Sequence, residues 1–207
     1  MPSNIQLLLT INALARSTPW LQTAMSSYAT VAGFVVFAEL ILAGWWFARQ
    51  RSDPRAVAAA LWTPIGMLLA LAVNQPITAH FAERRPYMVY PDLLTLAQHS
   101  LAPGFPSDHA VIAGALTATL FLASRRLGYW TALAALVMAF ARIYIAAAYP
   151  YDVLAGLLLG AAVSLVSFLL VRRPLVRLLG AADQTVFRPL LTATPRPALA
   201  GSASPSS

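Results

Sequence analysis

The sequence contains no cysteine and no lysine, and it has few charged residues of any kind. The absence of cysteine excludes disulfide bonds and thiolate metal sites. Charged residues make up 10% of the 207 positions, whereas soluble domains carry about 25%. Hydrophobic residues account for 59%, and the mean hydropathy is +0.68. These values predict an integral membrane protein, and the length favours a single domain.

The positive charge comes from 14 arginines, which give a formal net charge of +7. A basic balance can indicate nucleic-acid binding, but that function requires a soluble basic face with interleaved aromatic residues. The sequence offers no such face, so we exclude nucleic acid as a partner. Membrane proteins gather arginine in their cytoplasmic loops, and this explanation agrees with the hydropathy.

Apolar runs near the ~20 residues that a spanning helix needs recur along the chain. We therefore predict an all-α, polytopic membrane helix bundle. Its five spanning helices are predicted at 28–48, 56–77, 107–124, 127–147 and 152–171.

The two ends of the chain differ from this central part. Ile5, Leu8 and Ile11 repeat at helical spacing, which predicts an interfacial amphipathic helix within residues 1–26. Residues 27–172 would then form the membrane-embedded domain. The remainder, 173–207, becomes polar and rich in proline, serine and alanine, which is typical of a largely disordered cytoplasmic tail.

The distribution of arginine predicts the orientation. With five spans, ten arginines fall on one side of the membrane and four on the other, namely Arg16, Arg84, Arg85 and Arg142. The positive-inside rule assigns the larger group to the cytoplasm. We therefore expect a multi-pass protein of the plasma membrane, with the smaller group facing the extracytoplasmic side.

Three polar clusters lie at the ends of apolar runs on this outward side. They are E-R-R-P at 83–86, P-S-D-H at 106–109, and the segment from Arg142 to Asp152. Guanidinium groups bind phosphate oxygens in pairs and stay charged. The start of a helix offers backbone N–H groups to an anion, and an imidazole placed there can protonate a departing oxygen. The clusters therefore predict a site for a phosphate that is attached to a lipid.

Taken singly, most of these residues have a simpler structural explanation. Ser107 and Asp108 suit the first turn of a helix as capping residues. Arg84 and Arg85 could extend from a helix end to the membrane surface. Arg142 is different, because a charged group within a spanning segment costs at least ~2.5 kcal/mol near the bilayer centre and usually has a partner and a function.

In their order and spacing the clusters resemble the type-2 phosphatidic acid phosphatase superfamily of membrane lipid phosphatases, and within it the bacterial undecaprenyl-pyrophosphate phosphatases. The family pattern is K-x6-R-P, then P-S-[GD]-H, then [SA]-R-x5-H-x3-D, and the likeness covers roughly 25–172. It implies that the arginines clamp the phosphate, helped by the serine hydroxyl and backbone N–H groups. The predicted phosphate-binding residues are Arg84, Arg85, Ser107, Asp108, Arg142 and Thr78.

The resemblance also assigns the catalytic roles. His109 would act as the general acid for the leaving group. The residue at position 148 would be the nucleophile and form a phosphohistidine, while Asp152 orients it. No metal ion or other cofactor is implied.

The sequence departs from the family pattern at two positions. Thr78 stands where the family has its lysine, and Ala148 stands where it has the nucleophilic histidine. A methyl group cannot attack phosphorus, so this chain is expected to bind substrate without normal turnover. Because the other motif residues are intact, we favour a deliberate exchange of histidine for alanine; a natural pseudoenzyme is the alternative.

The function implied by the resemblance is hydrolysis of a polyprenyl (undecaprenyl or decaprenyl) pyrophosphate to the monophosphate. This reaction would recycle the carrier lipid of cell-wall peptidoglycan synthesis and influence bacitracin resistance. The partners would be this substrate, or another phospholipid, and the surrounding membrane lipids. Alternatives are a phosphatase for phosphatidate, phosphatidylglycerophosphate or another polyprenyl phosphate ester, and a non-catalytic protein that binds lipid phosphates.

Five further polar or aromatic residues lie outside the motifs or beside them. Glu39 lies near the middle of the first predicted span, where a carboxylate is either functional or protonated and hydrogen-bonded between helices. Tyr144 and Tyr149 are candidates to line a lipid cleft, although anchoring at the interface is the simpler explanation. His80, like His99, matches no motif position.

Overall fold

The computed structural model of the protein describes residues 2–51, 53–97, 100–182, 184–185 and 188–193. All regular elements within these ranges are helices, which confirms the predicted all-α class. In chain order they are α1 (Pro2–Ser17), α2 (Pro19–Ser27), a π-helical turn (Tyr28–Ala32), α3 (Gly33–Arg51), α4 (Pro54–Phe81), α5 (Pro86–Val89), α6 (Asp108–Ala123), α7 (Arg125–Tyr144), α8 (Pro150–Ala182) and α9 (Arg188–Leu191).

Four segments of the described chain contain helices that are long and apolar enough to cross a membrane. They are Pro19–Arg51, Pro54–Val89, Arg125–Tyr144 and Pro150–Ala182. The remaining predicted span corresponds to α6, which is apolar but has only 16 residues. At 1.5 Å per residue its length is about 24 Å, less than the ~30 Å of the hydrocarbon core.

Two helices extend beyond the spans predicted for them. The π-helical turn joins α2 to α3 without a break, so the first long helix begins at Pro19 rather than at 28, and only α1 is separate from it. At the other end, α8 continues to Ala182, beyond the predicted end of the last span at 171. The last part of the predicted tail, 194–207, lies outside the described residues.

Helix α6 occupies the centre of the bundle, where it packs against α8, α4 and α7. Glycines let the backbones of α6 and α8 touch. A Cβ atom added to Gly160 would lie 1.9 Å from the carbonyl oxygen of Val111, and one added to Gly114 would lie 2.1 Å from that of Leu157. Small residues at such crossings are the usual means of close packing between membrane helices.

Helix α1 lies against the ends of α7 and α8 and holds the loop that follows α5. The Asn12 amide donates from Nδ2 to the carbonyl oxygen of Leu94 at 2.9 Å, and its Oδ1 accepts from the Leu94 N–H at 3.1 Å. Leu8 is fully buried in the same region. The loop and the helix termini beneath it are therefore covered by α1.

Candidate active site

The three motifs come together at one end of the bundle, although long stretches of sequence separate them. The Ser107 N–H donates to the carbonyl oxygen of Asp152 at 3.1 Å, which joins the start of α6 to the start of α8. The Gly104 N–H donates to the carbonyl oxygen of Glu83 at 2.9 Å, which joins the loop to the end of α4. Backbone hydrogen bonds therefore fix the positions of the motif segments relative to one another.

Backbone carbonyl groups hold the Arg85 guanidinium from several sides. Its Nε donates to Ala102 at 2.9 Å, Nη1 donates to Ala147 at 3.3 Å, and Nη2 donates to Pro103 at 3.4 Å. Neutral carbonyl oxygens orient the group but do not cancel its charge. Arg85 thus presents a positioned cation beside residue 148, whereas its neighbour Arg84 is exposed.

Arg142 lies near the end of α7 and is only 7% exposed. Among the described residues its Nε is buried and has no hydrogen-bond partner. A buried cation with an unsatisfied donor is costly, and a phosphate oxygen would satisfy it. Arg142 and Arg85 both lie within electrostatic range of His109, whose ring packs against Phe34 with the ring centroids 5.0 Å apart.

Asp152 is buried at the start of α8, with 1% of its surface exposed. Its Oδ2 accepts from the Tyr149 N–H at 2.9 Å. Gly104 lies between this carboxylate and Arg85, because a Cβ atom added there would be 3.6 Å from Asp152 Oδ2 and 3.3 Å from Arg85 Cγ. Both side chains therefore border the turn that carries position 148.

Ala148 itself is packed into an apolar cluster. It is 1% exposed, and the cluster also contains Leu8, Ala110 and Val153. Its chain neighbours are Ala147, whose carbonyl accepts from Arg85, and Tyr149, whose N–H donates to Asp152. The predicted nucleophile position therefore lies between the cation and the carboxylate, with a methyl group in place of a reactive atom.

A cavity of about 360 Å³ opens beside this turn. Its lining includes Asn4 of α1, Glu83, Tyr90, Tyr149 and Asp152. Burial, with smaller contributions from Tyr90, Glu83 and Asp152, raises the pKa of Tyr149 to about 12. The Tyr149 hydroxyl is therefore protonated at neutral pH and can donate a hydrogen bond into the cavity.

Sequence reasoning missed the part played by α4 in holding the second motif. Asn74 is fully buried, and its Nδ2 donates to Asp108 Oδ1 at 2.6 Å and to the carbonyl oxygen of Pro106 at 3.2 Å. Gln75 adds a longer contact to the same carboxylate oxygen, at 3.5 Å. These hydrogen bonds hold the Asp108 carboxylate, at the start of α6, against α4. An asparagine inside an apolar run was the signal that could have identified this contact.

Tyr144 and Glu39 are the other two candidates for lining a lipid cleft. Tyr144 is fully buried, and its hydroxyl forms a 2.7 Å hydrogen bond with Thr18 Oγ1, so it joins α7 to the N-terminal helices instead of lining an open cleft. Glu39 is exposed on α3 and therefore lies on the outer surface of the bundle. Thr78, at the expected lysine position, has a buried Oγ1 without a hydrogen-bond partner in the described part of the chain.

His80 does not join the site. His80 is exposed and packs edge-on against Phe81, and His99 lies outside the described residues. Within the described ranges, no three His, Asp or Glu side chains are grouped closely enough to hold a metal ion.

Two curated relatives resemble the chain in sequence. It is 28% identical to undecaprenyl-diphosphatase BcrC of Bacillus subtilis (strain 168) over 165 residues, which cover 80% of this chain and 82% of the relative. It is 27% identical to the bacitracin transport permease protein BcrC of Bacillus licheniformis over 124 residues, or 60% of each protein.

The fold matches a solved structure, and a family model matches the sequence. The crystal structure of Aquifex aeolicus LpxE superposes with a TM-score of 0.59 at 20% identity, covering 79% of this chain and 93% of that one. The PAP2 superfamily model matches residues 59–175, which include all three motifs and more than half of the chain. The chain therefore belongs to the PAP2 superfamily.

Proposed function

We propose that this chain has the site of a membrane lipid phosphatase and binds the phosphate end of a polyprenyl pyrophosphate. The observation that carries the proposal is the pair of cations beside position 148. Arg85 is oriented by neutral carbonyl groups, and Arg142 has a buried, unsatisfied Nε. Two positioned guanidinium groups match the charge and geometry of a phosphoryl group.

The relatives support the choice of substrate. One of them is named an undecaprenyl-diphosphatase and the other is named for bacitracin transport. A pyrophosphate also offers more negative charge to the two arginines than a monoester does. Phosphatidate, phosphatidylglycerophosphate and other polyprenyl phosphate esters share the same interfacial phosphate and are the alternative substrates.

With histidine at position 148, the reaction would proceed in two displacements. The imidazole nitrogen attacks the terminal phosphorus, the bond from phosphorus to the bridging oxygen breaks, and His109 gives its proton to that oxygen. Water then attacks the phosphohistidine and gives a proton to the now neutral His109. The bond from phosphorus to nitrogen breaks, and inorganic phosphate leaves with both histidines restored. Asp152 would stabilise the positive imidazole during the first step, and the arginines would stabilise the charge on the transferring phosphoryl group.

With alanine at position 148, the chain would bind the lipid phosphate and not hydrolyse it. The packing of Ala148 among apolar side chains also favours a second candidate function, a non-catalytic protein that binds lipid phosphates. The two candidates differ in whether an imidazole at this position can reach the bound phosphate.

The test restores the nucleophile. We expect Ala148→His, purified and reconstituted in vesicles, to release inorganic phosphate from undecaprenyl pyrophosphate and to form an acid-labile phosphoprotein. The matched control is Ala148→Asn, which introduces a polar side chain of similar width that cannot form phosphohistidine. Phosphate release by both variants, or by neither on any lipid phosphate, would contradict the catalytic proposal. Retained lipid-phosphate binding without release would support the non-catalytic alternative.

We also propose that the site faces the extracytoplasmic side of a bacterial plasma membrane, on the strength of the arginine distribution. Because the chain has no cysteine, single cysteines can report the topology. Ala102→Cys, beside Arg85, is expected to react with a membrane-impermeant maleimide in intact cells. Gly180→Cys, near the far end of α8, should react only after lysis. The opposite pattern would reverse the assignment.

A further inference from the structure

A second cavity, of about 640 Å³, lies far from the candidate active site. Four arginines line it: Arg55, Arg172, Arg173 and Arg177. Along α8, the 20 residues from Asp152 to Arg172 correspond to about 30 Å. This separation equals the thickness of the hydrocarbon core, so the cavity lies at the opposite membrane interface.

The unequal lengths of the helices create this cavity. Helix α6 ends at Ala123, while α8 continues to Ala182 beside it. The space beyond the end of α6 is bordered by apolar side chains, namely Leu122, Phe168 and Val176. The cavity is therefore lined both by apolar side chains and by cations.

The charge of these arginines is not balanced within the cavity lining, which contains no acidic residue among those the structure describes. The nearby Asp53 carboxylate caps α4 by accepting from the Arg55 N–H at 2.9 Å. The positive-inside rule explains why arginines gather on one face of a membrane protein. It does not explain why four of them surround one cavity with an apolar wall. That arrangement is suited to an amphiphilic anion.

We propose that this cavity binds an anionic phospholipid from the leaflet opposite to the candidate active site. The arginines would contact the headgroup phosphate, and the first part of an acyl chain would lie against Leu122, Phe168 and Val176. Basic cavities between membrane helices commonly take anionic lipid headgroups in this way. The apolar wall favours a lipid over a soluble phosphate, which would gain nothing from it.

Native mass spectrometry of the full chain in a neutral detergent tests this proposal. Phosphatidylglycerol is expected to form a single tight adduct at a lower concentration than phosphatidylcholine does. The triple variant Arg172→Gln, Arg173→Gln and Arg177→Gln should weaken that adduct about a hundredfold, at about fivefold for each arginine. A single Arg177→Gln variant should show the fivefold loss, and it keeps the test valid if the triple variant does not fold.

The matched control removes the same charge from the same end of the bundle but outside the cavity. It is the triple variant Arg51→Gln, Arg125→Gln and Arg126→Gln, whose phosphatidylglycerol adduct should be unchanged. Equal losses in the two triple variants would show a general charge effect and overturn the proposal. No preference for phosphatidylglycerol over phosphatidylcholine would also overturn it. So would full displacement of the lipid by glycerol 3-phosphate at similar concentration, which would identify a site for soluble anions.

Discussion

Alanine substitutions at three glycines of α8 test whether backbone contact between α6 and α8 holds the bundle and the site together. Gly160 and Gly156 face α6, whereas Gly180 has no atom within 4 Å of an added Cβ. All three replacements add one methyl group in the same helix. They differ only in the space that receives it.

The expected magnitudes follow from the distances. At Gly160 the new methyl would lie 1.9 Å from the Val111 carbonyl oxygen, so reaching an ordinary contact of 3.4 Å needs a shift of about 1.5 Å between two backbones. At Gly156 the corresponding distance to the Ser107 carbonyl oxygen is 2.7 Å, which needs about 0.7 Å. Overpacking costs about 1–3 kcal/mol, and alanine regains up to about 1 kcal/mol of helix propensity.

We therefore expect Gly160→Ala to lower the free energy of unfolding by about 2 kcal/mol and Gly156→Ala by about 0–1 kcal/mol, after this propensity gain. Gly180→Ala should be neutral or slightly stabilising. For a chain of this size 1 kcal/mol corresponds to a Tm change of about 2–4 °C, so thermal unfolding in detergent resolves the order.

The catalytic rate should respond to these substitutions differently from the free energy of unfolding. Gly156 touches the carbonyl oxygen of Ser107 in the second motif, and a misplacement near 1 Å can cost up to about 10²-fold in rate. In an Ala148→His background, we expect Gly156→Ala to lower kcat/KM for lipid pyrophosphate by roughly tenfold. Equal Tm values for the Gly160 and Gly180 variants would refute the packing argument. Full activity with alanine at 156 would refute the link to the second motif.

The remaining predictions concern single polar side chains. Arg142→Gln should weaken phosphate binding at least about tenfold, because a charge-assisted hydrogen bond contributes about 1.5–3 kcal/mol. Arg84 is exposed, so Arg84→Gln should change phosphate binding little. Isothermal titration with a pyrophosphate lipid analogue measures both affinities. Asn74→Ala removes two hydrogen bonds, to Asp108 and to the adjacent loop, at an average of about 0.6 kcal/mol each. At about 2–4 °C per kcal/mol it should lower Tm by about 2–5 °C, and an unchanged Tm would contradict this contribution.

The sequence by itself determined the class of the fold and the family. Long apolar runs with little charge can bury their backbone polar groups in a membrane only as helices or closed barrels. The apolar runs have the length of spanning helices rather than of barrel strands, and the structure confirmed that they are helices. The three polar clusters were visible as motifs because each lies beside an apolar run, where a charged residue is energetically costly and usually has a function.

The ends of the helices were harder to predict, since local sequence does not fix them. A π-helical turn at Tyr28–Ala32 extends the first long helix back to Pro19, and α8 passes Pro174 and continues to Ala182. In both places contacts with the rest of the bundle outweigh local propensity. Helix boundaries depend on such contacts more than on the residues at the boundary itself.

Only the tertiary structure decided which side chains meet. Motif spacing could not reveal that carbonyl groups from two segments orient Arg85, that Asn74 holds Asp108, or that Tyr144 turns toward Thr18. These contacts join residues that are distant in the sequence, and they depend on how closely the helices approach. Hydrophobic patterning determines which surfaces are buried, whereas the packing of glycines and the hydrogen bonds of buried polar groups determine the partners.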